Sequence, residues 1–165
     1  MNCLLANVGV WSTPAARVLL VLHLLVCAFA IGAVTHHWWV LRKGDVPVPR
    51  LGKFALWMAI GYALAWVTGV VIYPTYNVMI RKPPIGVLEK LTPAAVGLFE
   101  IKEHLGTIAL VMLPWLVLSA WRYDVLSRLE RISYVVGTWV FTVFVYYVFI
   151  SGGIVTMTRS FGGVP

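Results

Sequence analysis

The sequence contains few charged side chains. Only 12% of its 165 residues are Asp, Glu, Lys or Arg, whereas about a quarter are charged in a typical soluble domain. It contains two cysteines, Cys3 and Cys27, which are too few for a disulfide framework. These shortages exclude an ordinary soluble domain and a small disulfide-stabilised secreted one.

Long apolar runs take the place of the missing charge. The chain is 61% hydrophobic with a mean hydropathy of +0.88, and four runs, at about residues 16–41, 54–76, 93–121 and 132–155, exceed the roughly 20 residues that a transmembrane helix needs. Because lipid cannot satisfy free backbone groups, such runs must be helical. We therefore predict an all-α fold, a single four-span domain over residues 1–165, forming an integral membrane four-helix bundle in contact with the lipid bilayer.

Breaks between the runs support this division. Residues 43–50 form a polar connector that contains proline, and residues 122–131 are predicted to join the third and fourth helices. Pro74 is expected to kink or end the second helix, because proline lacks the backbone N–H that continues a helical ladder. Proline is favoured in the first helical turn, so Pro93 after Thr92 indicates the start of the third helix.

The net charge of +7 does not indicate nucleic-acid binding. The Lys and Arg residues lie in short loops beside the spans, where the positive-inside rule and anionic lipid headgroups account for them. We therefore expect no nucleic-acid partner, because no soluble basic domain exists to hold one.

The distribution of Lys and Arg also predicts orientation. The side with the first and third loops carries seven: Arg42, Lys43, Arg50, Lys53, Arg122, Arg128 and Arg131. The side with the termini carries five: Arg17, Arg81, Lys82, Lys90 and Arg159. Basic residues are enriched in cytoplasmic loops, so we expect a bacterial inner (cytoplasmic) membrane protein with both termini on the periplasmic side.

Ionisable residues within the spans are the main functional signal, because charge in hydrocarbon is costly and usually faces a partner, a cofactor or water. His23 lies near the start of the first span, and the run from Leu98 to Leu105 brings His104 close to the start of the third. Both helices begin on the same side. Haem iron can take two imidazoles from facing helices, so we predict a b-type haem with His23 and His104 as axial iron ligands.

His37 is a further candidate ligand, fourteen residues after His23. His36 and His37 precede Trp38 and Trp39, which is also typical of an aromatic belt at the membrane interface. Few histidines in a four-helix bundle resemble the small cytochrome b-type membrane anchors of respiratory oxidoreductases. That resemblance implies a haem-carrying subunit that exchanges electrons with partner subunits.

A quinone or proton site could accompany the haem. Donors and proton-active groups near the same membrane face are Tyr73, Tyr76, Arg81, Glu100 and Glu103. The alternative is a salt-bridged interface, in which Glu100 or Glu103 pairs with a basic residue of the second loop. The residue types leave both interpretations open.

We therefore expect an integral membrane subunit of an electron-transfer complex of the respiratory or photosynthetic type, at most an electron-relay part of an oxidoreductase, with no catalytic residues of its own. One alternative is a cofactor-free structural or assembly subunit of a larger membrane complex. A second is a small metal-binding protein, in which His23, Glu100, Glu103 and His104 hold a zinc or copper ion.

Overall fold

Four long helices make up the described part of the chain. The computed structural model describes residues 14–44, 47–77 and 93–161, and within the helices it leaves the side chains of residues 15–17, 75, 76 and 156–161 undescribed. The helices are α1 (Pro14–Lys43), α2 (Val48–Tyr76), α3 (Pro93–Trp121) and α4 (Arg128–Phe161). Each is long and apolar enough to cross a membrane, and the described residues form no strand. The predicted all-α membrane bundle is confirmed.

The helices form an antiparallel ring in chain order. Each helix packs against the next, and α1 packs against α4 to close the ring. The start of α1 lies beside the end of α2, where His23 contacts Thr68, and the end of α1 lies beside the start of α2, where His36 contacts Phe54. The same crossing order joins α2 to α3 and α3 to α4. Helices α1 and α3 therefore start at the same end of the bundle, as predicted.

Three helices are longer than the apolar runs suggested. Helix α2 begins at Val48 instead of residue 54, and α4 covers Arg128–Phe161 instead of 132–155. A capping box explains the early start of α4: the backbone N–H of Ser127 donates to the Glu130 carboxylate at 2.7 Å, and the N–H of Glu130 donates to the Ser127 hydroxyl at 3.4 Å. Such reciprocal bonds satisfy the free donors at a helix start, so polar residues extend the helix beyond the apolar run.

Helix α2 continues past Pro74. Its last residue is Tyr76, and the backbone N–H of Asn77 then donates to the carbonyls of Tyr73 and Pro74. The ring of Pro74 removes one hydrogen bond without ending the helix at that residue. Proline at the start of α2 is favourable, because the N–H groups of the first turn have no partner within the helix.

The bundle has a narrow core and a wide apolar exterior. Buried side chains such as Val34, Met58, Leu116 and Phe141 fill the centre. Large apolar residues cover the outside, among them Val111 and Leu129, each 74% exposed. A soluble protein rarely exposes so much contiguous apolar surface, so the exterior is suited to lipid or to other membrane helices.

Two glycines allow tryptophan rings to lie against the neighbouring helix. A side chain at Gly52 of α2 would overlap the indole of Trp121 on α3, and one at Gly137 of α4 would overlap the indole of Trp115. The absence of a Cβ at these positions therefore sets how closely α3 approaches both of its neighbours.

We predict that Gly52→Ala lowers the thermal stability of the purified protein in detergent. The added methyl group meets the Trp121 ring, and overpacking of this kind typically costs about 1–3 kcal/mol. Thermal unfolding followed by tryptophan fluorescence measures the change. Gly32→Ala is the matched control, because no heavy atom lies within 4 Å of its new Cβ and alanine favours a helix. Equal melting temperatures for the two variants would contradict this packing.

Candidate functional site

His23 lies in a polar chain between α1 and α2. The hydroxyl of Thr68 donates to the carbonyls of Leu64 and Ala65 at 2.9 and 3.0 Å, so it accepts a hydrogen bond from Nδ1 of His23 at 2.8 Å. We accordingly assign the proton of His23 to Nδ1. Nε2 then lies 3.5 Å from the Sγ atom of Cys27 and can accept a weak bond from the thiol. Both ring nitrogens of His23 thus have partners within the bundle.

Lys102 occupies the inward face of α3 at this level. Its ammonium lies 4.7 Å from the centre of the Phe99 ring and next to Gly152 of α4. It is close enough to His23 and Cys27 to act on both electrostatically. Tyr73 of α2 stacks on the same Phe99 ring, with the two ring centroids 6.1 Å apart. The four helices therefore gather around a cation at this end of the bundle.

His104 lies on the outward face of α3 and is exposed. It follows Lys102 by two positions, which rotates it by about 200° around the helix. Its Nδ1–H donates to the carbonyl of Glu100 at 2.8 Å. In the neutral imidazole this leaves the lone pair on Nε2, and the exposed position of the side chain makes that atom accessible from outside the bundle.

These positions bear directly on the predicted haem. His23 faces the interior and His104 the exterior, so the two imidazoles do not face each other across the bundle. The inward residue of α3 opposite His23 is Lys102, which cannot serve as the predicted imidazole ligand. A haem held by both His23 and His104 of one chain does not fit this arrangement, because two histidines that bind the same iron must face each other across it.

The two acidic residues predicted for a site on α3 differ in their exposure. Glu100 is exposed and Glu103 is partly buried, and each interacts with another group of the protein. Among the described residues, no group of three or more His, Cys, Asp or Glu side chains is arranged to hold a metal ion. Of the residues proposed for a quinone, Tyr73 packs on Phe99, whereas the side chain of Tyr76 and all of Arg81 lie outside the described part.

His37 forms a second polar site, at the other end of the bundle. It is 0% exposed, and its Nε2 lies 2.8 Å from the hydroxyl of Tyr134 on α4. The Tyr134 ring also contacts the rings of Trp115 and Tyr123 edge-on. The interpretation of His37 as an interface residue is wrong, because α1 turns it into the core. His36 fits that interpretation better, since it is exposed and contacts Phe54.

The second ring nitrogen of His37, Nδ1, is buried and has no hydrogen-bond partner within the described part of the chain. Spacing in the sequence could have identified this site. His37 continues the series Ala30, Val34 and Leu41, all buried, at the three- and four-residue intervals that place residues on one helix face.

Comparison of the chain with protein-family profiles, with curated proteins and with solved structures finds no match.

We predict that Tyr134→Phe lowers the free energy of unfolding by about 1–3 kcal/mol, the typical cost of leaving a buried polar group without its partner. The change removes the hydroxyl that bonds His37 and keeps the ring. Chemical denaturation in detergent measures this change in the free energy of unfolding. Tyr146→Phe is the control, because Thr35, the partner of Tyr146, also donates to the Ile31 carbonyl. An equal loss in both variants would contradict a special role for the His37 pair.

Proposed function

We propose that the protein is an integral membrane subunit of an electron-transfer complex, and that it contacts its partner subunit through the outer face of α3. Few residues separate Lys43 from Val48 and Trp121 from Arg128, so neither of these two connections is long enough to form a catalytic domain. Any chemistry of the described part must therefore take place within the membrane or be shared with another subunit.

The observation that carries this proposal is the outward imidazole of His104. It lies about 16 Å along α3 from Pro93, between Ile101 and Ile108, each of which is 50% exposed. Its other neighbours on this face are the exposed Glu100 and Thr107. An imidazole on the outer, largely apolar surface of a membrane bundle is costly against lipid and favourable against a protein partner. A neighbouring helix that covers His104 removes this cost.

The hydrogen bond of His104 also suits it to bind haem iron. Metal-bound histidines commonly donate their second ring N–H to a carbonyl or carboxylate, which fixes the ring and increases the basicity of the ligating nitrogen. The carbonyl of Glu100 accepts such a bond at 2.8 Å. We infer that His104, through Nε2, would hold the iron of a b-type haem at the subunit interface, and that the neighbouring subunit would supply a second ligand. When bound, the haem would carry one electron at a time between subunits.

A cofactor-free assembly subunit is the second candidate. The occupied ring nitrogens of His23 and the inward position of Lys102 favour it, because they leave neither nitrogen of His23 open to a cofactor at this end of the bundle. In that case the partner subunit would bond His104 directly. A quinone near Tyr73 and Glu100 stays a prediction within the first candidate. The placement in a bacterial inner membrane with periplasmic termini also stays a prediction.

The decisive experiment compares His104→Ala with His23→Ala in complexes purified from the native membrane in mild detergent. Reduced-minus-oxidised spectra and pyridine haemochrome quantification give the haem content per chain. We expect His104→Ala to lose most of the b-type α-band and His23→Ala to retain it, because of these two side chains His104 is the exposed one and both ring nitrogens of His23 have partners within the bundle.

The other outcomes separate the candidates. Loss of haem in His23→Ala alone would place the haem inside the bundle and contradict the interface site. A wild-type complex without haem, from which His104→Ala loses its partner subunits, would support the assembly subunit. Unchanged haem and unchanged partners in His104→Ala would overturn the proposal.

A further inference from the structure

A surface cavity of about 440 Å³ lies where the α3–α4 connection meets the first turns of α4. One part of its wall is basic and aromatic, and the other is aliphatic. The residues that matter here are Tyr123, Arg128, Arg131, Ile132, Val135 and Val136. The cavity is at the opposite end of the bundle from His23 and Lys102, and it is independent of any haem.

Arg131 is held in a fixed position at the cavity wall. Its Nε–H donates to the carbonyl of Leu126 at 3.0 Å, and one Nη2–H donates to the carbonyl of Asp124 at 2.7 Å. Its guanidinium also lies 5.5 Å from the centre of the Tyr123 ring. All these partners are neutral, so they orient the side chain without neutralising its positive charge.

Glu130, the acidic residue next to Arg131 on α4, uses its carboxylate to cap the helix. The carboxylate of Glu130 accepts the backbone N–H of Ser127 in the capping box and is not part of the cavity wall. The lining therefore carries two arginines and no acidic residue. Two arginines on neighbouring turns form a site for a phosphate group, which guanidinium binds through paired hydrogen bonds.

The aliphatic wall distinguishes a lipid from a soluble anion. Ile132 and Val136 lie one turn apart on α4 and are 52% and 53% exposed, and they lead from the arginines into the membrane-spanning part of the helix. A phosphate bound at the start of α4 would thus be at headgroup depth, with an acyl chain able to follow Ile132 and Val136. Basic pockets at the ends of membrane helices commonly bind anionic lipid headgroups.

We propose that this cavity is a binding site for one anionic phospholipid, with its phosphate between Arg128 and Arg131 and an acyl chain along Ile132 and Val136. The site differs from general attraction of basic loops to the membrane surface, because the fixed orientation of Arg131 and the aliphatic wall give it a defined shape. It requires neither a haem nor a partner subunit.

Native mass spectrometry of the delipidated full-length protein in detergent tests this proposal, with phosphatidylglycerol and phosphatidylcholine as probes. We expect phosphatidylglycerol to bind more tightly. Arg128→Gln/Arg131→Gln should weaken its binding by about thirtyfold, since each arginine near a membrane surface contributes roughly one kcal/mol and 1.4 kcal/mol is tenfold. Arg42→Gln/Arg122→Gln is the control, because it removes the same charge on the same side of the membrane and leaves the cavity intact.

Further arms exclude trivial explanations. Because Arg131 supports the α3–α4 connection, Arg128→Gln alone repeats the test with those hydrogen bonds intact, and it should lose about half of the effect on a logarithmic scale. Millimolar inorganic phosphate should not displace the lipid. Equal loss in the control variant, unchanged binding in Arg128→Gln, or displacement by inorganic phosphate alone would each overturn the proposal.

Discussion

Hydrocarbon offers no hydrogen-bond partners, and this constraint shapes the whole bundle. It makes each apolar run helical, because a helix satisfies its own backbone. It also governs the hydroxyl groups: Thr35, Thr68, Thr142 and Ser151 each donate to the carbonyl four residues earlier in their own helix. Side chains that cannot do this find a partner on another helix, as Tyr62 does when it donates to the carbonyl of Gly106.

The same constraint divides the remaining polar groups between two levels of the bundle. At the end where α1 and α3 begin, His23, Thr68 and Lys102 share the interior while His104 faces outward. At the other end, His37 and Tyr134 form a buried pair close to the arginine-lined cavity. The interior groups hold the helices together, whereas the outward imidazole and the cavity are where the chain can meet another molecule.

Apolar run length predicted the number of helices, their order and the bounds of α3, because membrane thickness sets a minimum length that these runs exceed. It could not predict which side of α3 faces inward. The helices are apolar on almost every face, so periodicity carries little information, and Lys102 and His104 are only two positions apart. The inward choice depends on packing, since Phe99, Gly106 and Ala109 form the buried stripe that Lys102 joins. The early start of α4 was missed for a different reason, because the Ser127 and Glu130 cap is polar.

The central claim is that Lys102 faces the interior of the bundle and His104 faces the exterior. Spin-label accessibility tests these two orientations most directly. A nitroxide is attached to cysteine at position 102 or at position 104, with the native cysteines replaced by serine, and collision with molecular oxygen is measured by electron paramagnetic resonance in lipid nanodiscs. We predict high accessibility at position 104 and low accessibility at position 102. Equal values, or the reverse order, would contradict it and would restore a haem shared by His23 and His104 within one chain.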